Sequence, residues 1–166
     1  YTLTVENTLK DCMSNALMGN NTIEFGLPEM AEANDIVINE ILFNPEVGGV
    51  DFVELYNRSE KIIDLHEFRI SNTQLQTANT METIIDHFQL LPGESVVITD
   101  DPGDIQSRYT VEKPAALFDN DLPTLPDNEG NVTLLSPIPD NQAIDAFDYT
   151  DDLHFSLLSD KGGVSL

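Results

Sequence analysis

The hydrophobic positions along this chain occur in short runs that predict β-strands rather than helices. The runs are rich in β-branched, aromatic and aliphatic residues, and Asn-Pro, Gly-Gly and Leu-Pro-Gly sequences bound them. About nine short strands, with turn signals every eight to twelve residues, are typical of an all-β sandwich. The predicted strands of the main domain are 36–43, 51–57, 62–65, 67–71, 83–90, 94–99, 131–135, 142–149 and 164–166.

Three stretches of the main domain lack a strand pattern. Residues 101–109 carry a proline near their start, an acidic first turn and two apolar residues four apart, which predicts one or two helical turns. Residues 72–82 are polar without a clear period and are interpreted as a loop. Residues 110–126 contain three prolines and predict a long connection, in which a short strand near 115–118 is an alternative.

The first part of the chain, residues 1–33, differs from the main domain at 34–166. Residues 1–5 alternate like a strand, residues 22–26 form a second short strand, and a linker follows. An isolated two-stranded hairpin is marginal in water, so we expect this one to pack against the sandwich.

Several pieces of sequence occur in the order found in a known family. They are Ile38-Asn39-Glu40-Ile41, Asn44-Pro45, Asp51-Phe52-Val53-Glu54-Leu55-Tyr56-Asn57, Ile63-Asp64-Leu65, Leu91-Pro92-Gly93-Glu94-Ser95-Val96-Val97-Ile98, Ile144-Asp145-Ala146-Phe147-Asp148-Tyr149 and Gly163-Val164-Ser165-Leu166. Together they resemble the lamin tail domain, over roughly residues 34–166. Phe52 stands where that family often has Trp, a mild packing change. The resemblance implies structural motif residues at Asn39, Glu40, Asp51, Glu54, Tyr56 and Asn57.

The resemblance also carries expectations about fold and function. Lamin tail domains have an immunoglobulin-like β-sandwich and occur in nuclear lamins and in many bacterial surface and secreted proteins. Residues 1–33 are similar to the closing hairpin of a bacterial immunoglobulin-like repeat, which would make them the tail of a preceding domain. We therefore expect one module of a bacterial extracellular or cell-surface protein, with a periplasmic location as an alternative, whose partners are another protein or neighbouring domains of the same chain.

Charge narrows the choice of partners. The chain has 30 acidic and 7 basic residues, a net charge of −23, which disfavours nucleic acids and anionic membranes. No apolar run approaches the roughly 18 residues of a membrane span, so membrane insertion is not expected. Cys12 is the single cysteine, which rules out an intrachain disulfide. The acidic excess is interpreted as a solubility feature, with divalent-cation binding as the alternative.

No cofactor is expected, and weak calcium binding is the alternative, because clustered turn carboxylates are ligands that Ca²⁺ prefers. The pattern does not fit an EF-hand, and scattered histidines give no zinc spacing. The candidate ligands are Asp100, Asp101, Asp104, Asp119, Asp121 and Asp127.

Two glutamates interrupt otherwise apolar strands. Glu40 is predicted to share a strand face with Ile38 and Leu42, and Glu54 to share one with Phe52 and Tyr56. A close carboxylate pair in an apolar setting could act as acid and base. The alternative, which the resemblance favours, is that both accept hydrogen bonds and stabilise the sandwich.

These observations leave three classes of function. The first is a noncatalytic structural, adhesive or protein-interaction module. The second is a calcium-dependent ligand-binding module, for example for a glycan, attached to an enzyme. The third is a hydrolase that uses Glu40 and Glu54. The first class is the one we expect, and the protein is then not an enzyme.

Overall fold

The computed structural model describes residues 1–6, 8–16, 18, 21–72 and 80–166. They contain mainly strands, with one α-helix and two 3₁₀ turns. The strands are β1 (Thr2–Thr4), β2 (Thr22–Glu24), β3 (Ile36–Leu42), β4 (Phe52–Asn57), β5 (Ile63–Asp64), β6 (Arg69–Ser71), β7 (Met81–Thr83), β8 (Gln89–Leu90), β9 (Ser95–Thr99), β10 (Leu117–Asp119), β11 (Glu129–Leu135) and β12 (Ala143–Thr150). Helix α1 spans Pro102–Arg108, and the 3₁₀ turns span Pro114–Ala116 and Asp151–Leu153. Within these ranges, no helix has the length and apolar character needed to cross a bilayer.

The first sheet has four strands in the order β10-β9-β4-β3. β10 runs parallel to β9, and the other neighbours are antiparallel. Beyond β3 the chain returns and continues the sheet. The backbone N–H of Leu166 donates to the carbonyl of Ile41 at 2.9 Å, and the N–H of Ile41 donates back at 3.0 Å. The segment predicted to close the sheet, 164–166, therefore lies at its edge beside β3.

The second sheet is antiparallel, in the order β12-β11-β6-β7, and β5 and β8 form a separate small ladder. The two four-stranded sheets enclose one hydrophobic core. Its members from the sheets include Ile36, Ile41, Val53, Leu55, Val96 and Ile98 of the first and Ile70, Val132, Leu134, Ile144 and Tyr149 of the second. Two sheets packed face to face over such a core form a β-sandwich, which confirms the predicted fold class.

A β-bulge in β3 decides which of its side chains face the core. The pairing register with β4 shifts after Ile38, so that Glu40, rather than Asn39, lies opposite Glu54. Ile38 therefore packs against the core, whereas Leu42 belongs to a small cluster on the outer face of the sheet. The prediction that Glu40 shares a face with Ile38 is wrong, because the bulge inverts the alternation between them. The prediction that Glu40 shares a face with Leu42 is confirmed.

Helix α1 covers part of this outer face. Its N-cap is Asp101, whose carboxylate accepts two backbone N–H groups at 2.9 and 3.0 Å, and Pro102 follows in the first turn. Ile105 is the buried residue of the helix and packs with Leu42 and Phe52. The predicted short helix is therefore confirmed, and it shields the apolar half of the sheet face from water.

The predicted strand at 83–90 is two strands instead of one. β7 pairs with β6 in the second sheet, and β8 pairs with β5 in the small ladder, so the chain changes partners between them. β7 begins at Met81, inside the predicted loop 72–82, and residues 73–79 of that loop lie outside the described residues. β10, at Leu117–Asp119, confirms the short strand near 115–118 within the long connection.

The N-terminal hairpin forms but stands apart from the sandwich. Leu3 lies opposite Ile23 in the ladder of β1 and β2, and these side chains are 54% and 60% exposed. The described attachment begins at Gly26, whose backbone N–H donates to the Gln89 side chain at 3.3 Å and whose carbonyl accepts from it at 3.1 Å. The expectation that the strands of the hairpin pack against the sandwich is wrong. Its origin as the tail of a preceding repeat stays a prediction.

Because the hairpin is mostly exposed, deleting residues 1–25 should leave the melting temperature within about 2 °C of the full chain. Deleting residues 1–33 should lower it by several degrees, since Ala31 packs against the core and the N–H of Glu29 donates to Ile62 at 2.8 Å. Calorimetry of the two truncated proteins measures both values. An equal fall for both deletions would contradict the separation of hairpin and sandwich.

Candidate functional site

A groove with a cavity volume of about 630 Å³ runs over the outer face of the first sheet. Its floor consists of outward side chains from three strands. One wall is the segment 109–113 after α1, and the other is the edge segment 163–165. The floor residues are Glu40, Leu42, Phe52, Glu54, Ser95 and Val97.

One row of side chains crosses this floor from strand to strand. The ladder places Glu40 opposite Glu54, Glu54 opposite Val97, and Val97 opposite Leu117. Directly paired residues point to the same face of a sheet, and neighbouring strands are about 4.8 Å apart. The row is therefore acidic at the β3 end and apolar at the β10 end.

Both carboxylates of the pair are held by neutral donors. The hydroxyl of Ser165 donates to Oε1 of Glu40, and the side-chain amide of Asn39 donates to Oε1 of Glu54 at 2.7 Å. In the described part of the chain, neither Oε2 atom has a hydrogen-bond partner. The bulge residue Asn39 thus both turns Glu40 outward and orients Glu54.

The charges around the groove are mostly negative. Glu112 and Lys113 add one carboxylate and one ammonium group to the two floor carboxylates. Among the described residues, Lys113 forms no ion pair with Glu40 or Glu54. Within the described ranges, therefore, no Lys, Arg or His side chain forms an ion pair with the two carboxylates at the acidic end of the groove.

Tyr109 places a polar atom without a partner in the wall of the groove. Its hydroxyl is buried and has no hydrogen-bond partner within the described ranges. Burial, with the nearby Glu46 carboxylate, raises the pKa of this phenol, so the hydroxyl keeps its proton and remains a donor.

A second group of acids lies at the end of the first sheet, away from the groove. Burial, followed by the charges of Asp127 and Asp100, raises the pKa of the Asp51 carboxyl to about 7. Burial also raises the pKa of Asp100, with contributions from Asp121 and Asp119. Two of the six predicted calcium ligands, Asp100 and Asp127, are therefore close enough to Asp51 to affect its ionisation.

Two of the remaining four candidates, Asp101 and Asp104, already have structural partners. Asp101 caps α1, and Asp104 accepts from Arg108 Nε at 2.7 and 2.9 Å and from the N–H of Val50 at 3.2 Å. Across the described ranges, no group of three or more His, Cys, Asp or Glu side chains is arranged to hold a metal ion. Calcium binding stays a prediction.

Asn57 is the most buried of the predicted structural motif residues. Its amide nitrogen donates to the carbonyls of Lys61 at 2.7 Å and Leu90 at 2.9 Å, and its oxygen accepts from the N–H and hydroxyl of Ser59. The side chain thus joins the turn after β4 to β8. Tyr56 lies on the outer, half-exposed side of β4, as predicted for a residue that shares a face with Glu54.

Sequence reasoning found the floor carboxylates but missed the walls. Tyr109 ends the stretch predicted to form helical turns, Lys113 belongs to the predicted connection, and Ser165 to the predicted closing strand. No local pattern marks these residues, because they reach the groove only through the return of distant segments to one sheet face.

A family model described as Lamin Tail Domain matches residues 29–151, which include the groove floor and α1. Among solved structures, the chain is similar to that of a DUF4876 family protein from Bacteroides thetaiotaomicron VPI-5482, with 15% sequence identity and a TM-score of 0.48. That match covers 83% of this chain and 59% of the other, so this chain spans less than two thirds of its length. No match to a curated protein was found.

The raised pKa of Asp51 predicts a pH-dependent loss of stability. The native state binds this proton more tightly than the unfolded state, whose carboxyl has a pKa near 3.8, so stability should fall as pH rises from about 4 through about 7. Asp51→Asn should remove this fall. The change that the substitution causes in the free energy of unfolding should therefore be more favourable at pH 8 than at pH 4.5, by roughly 2 kcal/mol. Urea unfolding in chelator measures it. The exposed Asp86→Asn is the control, and equal pH profiles for both variants would contradict the assignment.

Removing the Asn57 side chain should destabilise the sandwich. Asn57→Ala leaves two buried carbonyls without their donor, and we expect a loss of about 2–4 kcal/mol in the free energy of unfolding. Ser59→Ala removes one half-buried hydroxyl, which donates to Asn57 Oδ1 and accepts from the N–H of Lys61, and should lose about 1 kcal/mol. Chemical denaturation measures both, and similar losses would show that the buried amide bonds are not the source of stability.

Proposed function

The chain belongs to the lamin tail domain family, and from this premise we propose that it is a noncatalytic protein-interaction module that binds a segment of another protein in its groove. The observation that carries the proposal is the groove itself, an open site on a sheet face with a polar end and an apolar end. The fold alone does not fix a function, whereas the side chains of a site can.

The construction of the floor supports binding. The floor side chains stand on three hydrogen-bonded strands whose other faces pack into the core, so little conformational freedom remains to be lost on binding. A cavity of about 630 Å³ lies in the range of protein sites that hold small ligands or a few side chains. Val97 and Leu117 offer half-buried apolar surface beside the carboxylates.

The two glutamates support binding better than hydrolysis. An acid–base pair generally has one carboxyl in an apolar site and the other in a polar one. Glu40 and Glu54 instead occupy similar half-buried positions, and each accepts a hydrogen bond from a neutral donor. The arrangement is symmetrical, which suits recognition of a ligand rather than division into acid and base.

A structural or adhesive role at a bacterial cell surface, or in a secreted protein, is part of the proposal. The high negative charge keeps such a module soluble and repels anionic polymers, so a protein is the partner that the charge favours. This location is consistent with the expectation drawn from the sequence resemblance, and no step of the binding argument depends on it.

Selection from a phage-displayed library of random twelve-residue peptides tests the proposal. The wild-type protein should enrich binding peptides, and Thr110→Trp should abolish their binding because the indole would project over the groove from an exposed position in its wall. Glu60→Trp, which adds the same side chain at an exposed turn, is the control. The proposed function would be contradicted if no peptide were enriched, or if every enriched peptide also bound Thr110→Trp.

A further inference from the structure

We propose that the groove recognises an extended segment that carries a Lys or Arg residue two positions away from an apolar residue. This inference rests on the proposed function and specifies the chemistry of the partner. The cation would bind between Glu40 and Glu54, and the apolar side chain would contact Val97 and Leu117.

The first argument is the unfavourable position of the carboxylate pair. Like charges directly opposite each other on neighbouring strands destabilise a sheet. Glu40 and Glu54 are such a pair, and in the described part of the chain no cation contacts them. A like-charge pair that destabilises the folded protein, and that no cation in the described part of the chain offsets, is expected at a functional site.

The second argument is the free bonding capacity of the two side chains. Each uses Oε1 for a neutral donor, and each Oε2 has no hydrogen bond within the described ranges. These atoms are also not buried. A Lys ammonium has three donors and an Arg guanidinium has five, so either group can bond both free oxygens at once.

The distance between the glutamates and the apolar side chains of the floor matches the spacing of side chains along an extended peptide. Val97 lies one strand from Glu54, and Leu117 lies two strands away, which are distances of about 4.8 and 9.6 Å. Two residues of an extended chain span about 6.6 Å. We therefore expect a bound segment to cross the strands. When its cationic side chain lies over the two glutamates, the side chain two positions along lies over the apolar end of the groove.

The charge balance favours a different protein over a second copy of this chain. The groove has three carboxylates, of Glu40, Glu54 and Glu112, and one ammonium group, of Lys113. A second copy would also carry a net charge of −23 and has only 7 basic residues, so its approach is repelled. A basic partner is attracted by the same field.

The test uses the peptides selected on the wild-type protein, made synthetically and measured by fluorescence anisotropy. We expect them to contain Lys or Arg at the second position before or after an apolar residue. Replacing that residue by Gln should weaken binding about tenfold, and Glu40→Gln or Glu54→Gln in the protein should each do the same. In the double-mutant cycle the two losses should not add, because both remove one interaction.

The variants are designed to keep the fold. Gln retains the oxygen that accepts from Ser165 or Asn39, and it removes the repulsion, so each variant should melt about 1–3 °C higher than the wild type while it binds less. Glu60→Gln removes one exposed charge elsewhere and should change neither affinity nor melting temperature appreciably. Equal weakening by Glu60→Gln would assign the effect to net charge and overturn the proposed site.

The outcomes separate this inference from the function on which it rests. The peptides that bind the wild type but not Thr110→Trp are the informative ones. If they lack a basic residue, or bind the Gln variants as tightly as the wild type, the cation site is overturned and the interaction module stands. If no peptide loses its binding to the Thr110→Trp variant, both the cation site and the interaction module are overturned.

Discussion

Along β3, core residues precede and follow Glu40, and the bulge at Asn39 allows the Glu40 carboxylate to point outward between them. Without the extra residue, the alternation that buries Ile36 and Ile38 would direct Glu40 inward as well. An unpaired carboxylate in that core would be strongly unfavourable. The bulge reverses the alternation, so Ile41 enters the core while Leu42 turns toward α1. The groove floor and the packing of α1 against Leu42 both depend on this single insertion.

Much of the fold was predictable because local patterns carry it. Alternating apolar residues, the Asp-Pro start of α1 and the turn residues between strands act over a few positions, and the sandwich and the short helix follow from them. The errors occurred where a distant partner decides the structure. The bulge at Asn39 depends on the register with β4, and the division of 83–90 depends on whether β6 or β5 is the neighbour.

The candidate site was predictable only in part for the same reason. Glu54 was placed on the correct face of β4 because that strand has no bulge. Tyr109, Lys113 and Ser165 reach the groove through connections that bring remote segments to one face, which a sequence pattern does not record. In the acidic turns the sequence does not record the structural roles, since Asp101 caps α1 and Asp104 pairs with Arg108, while calcium binding stays a prediction.

The hydrogen bond between Ser165 and Glu40 joins residues 125 positions apart, and this separation has a consequence for biosynthesis. On a chain emerging from the ribosome, β3 remains an open strand edge until residues 163–166 have been made. Exposed edges of this kind invite pairing with other chains, and charged side chains and bulges are the features that discourage it. Glu40 and Asn39 place both of these features on the β3 edge, where they are present during the interval in which its last neighbour is still missing.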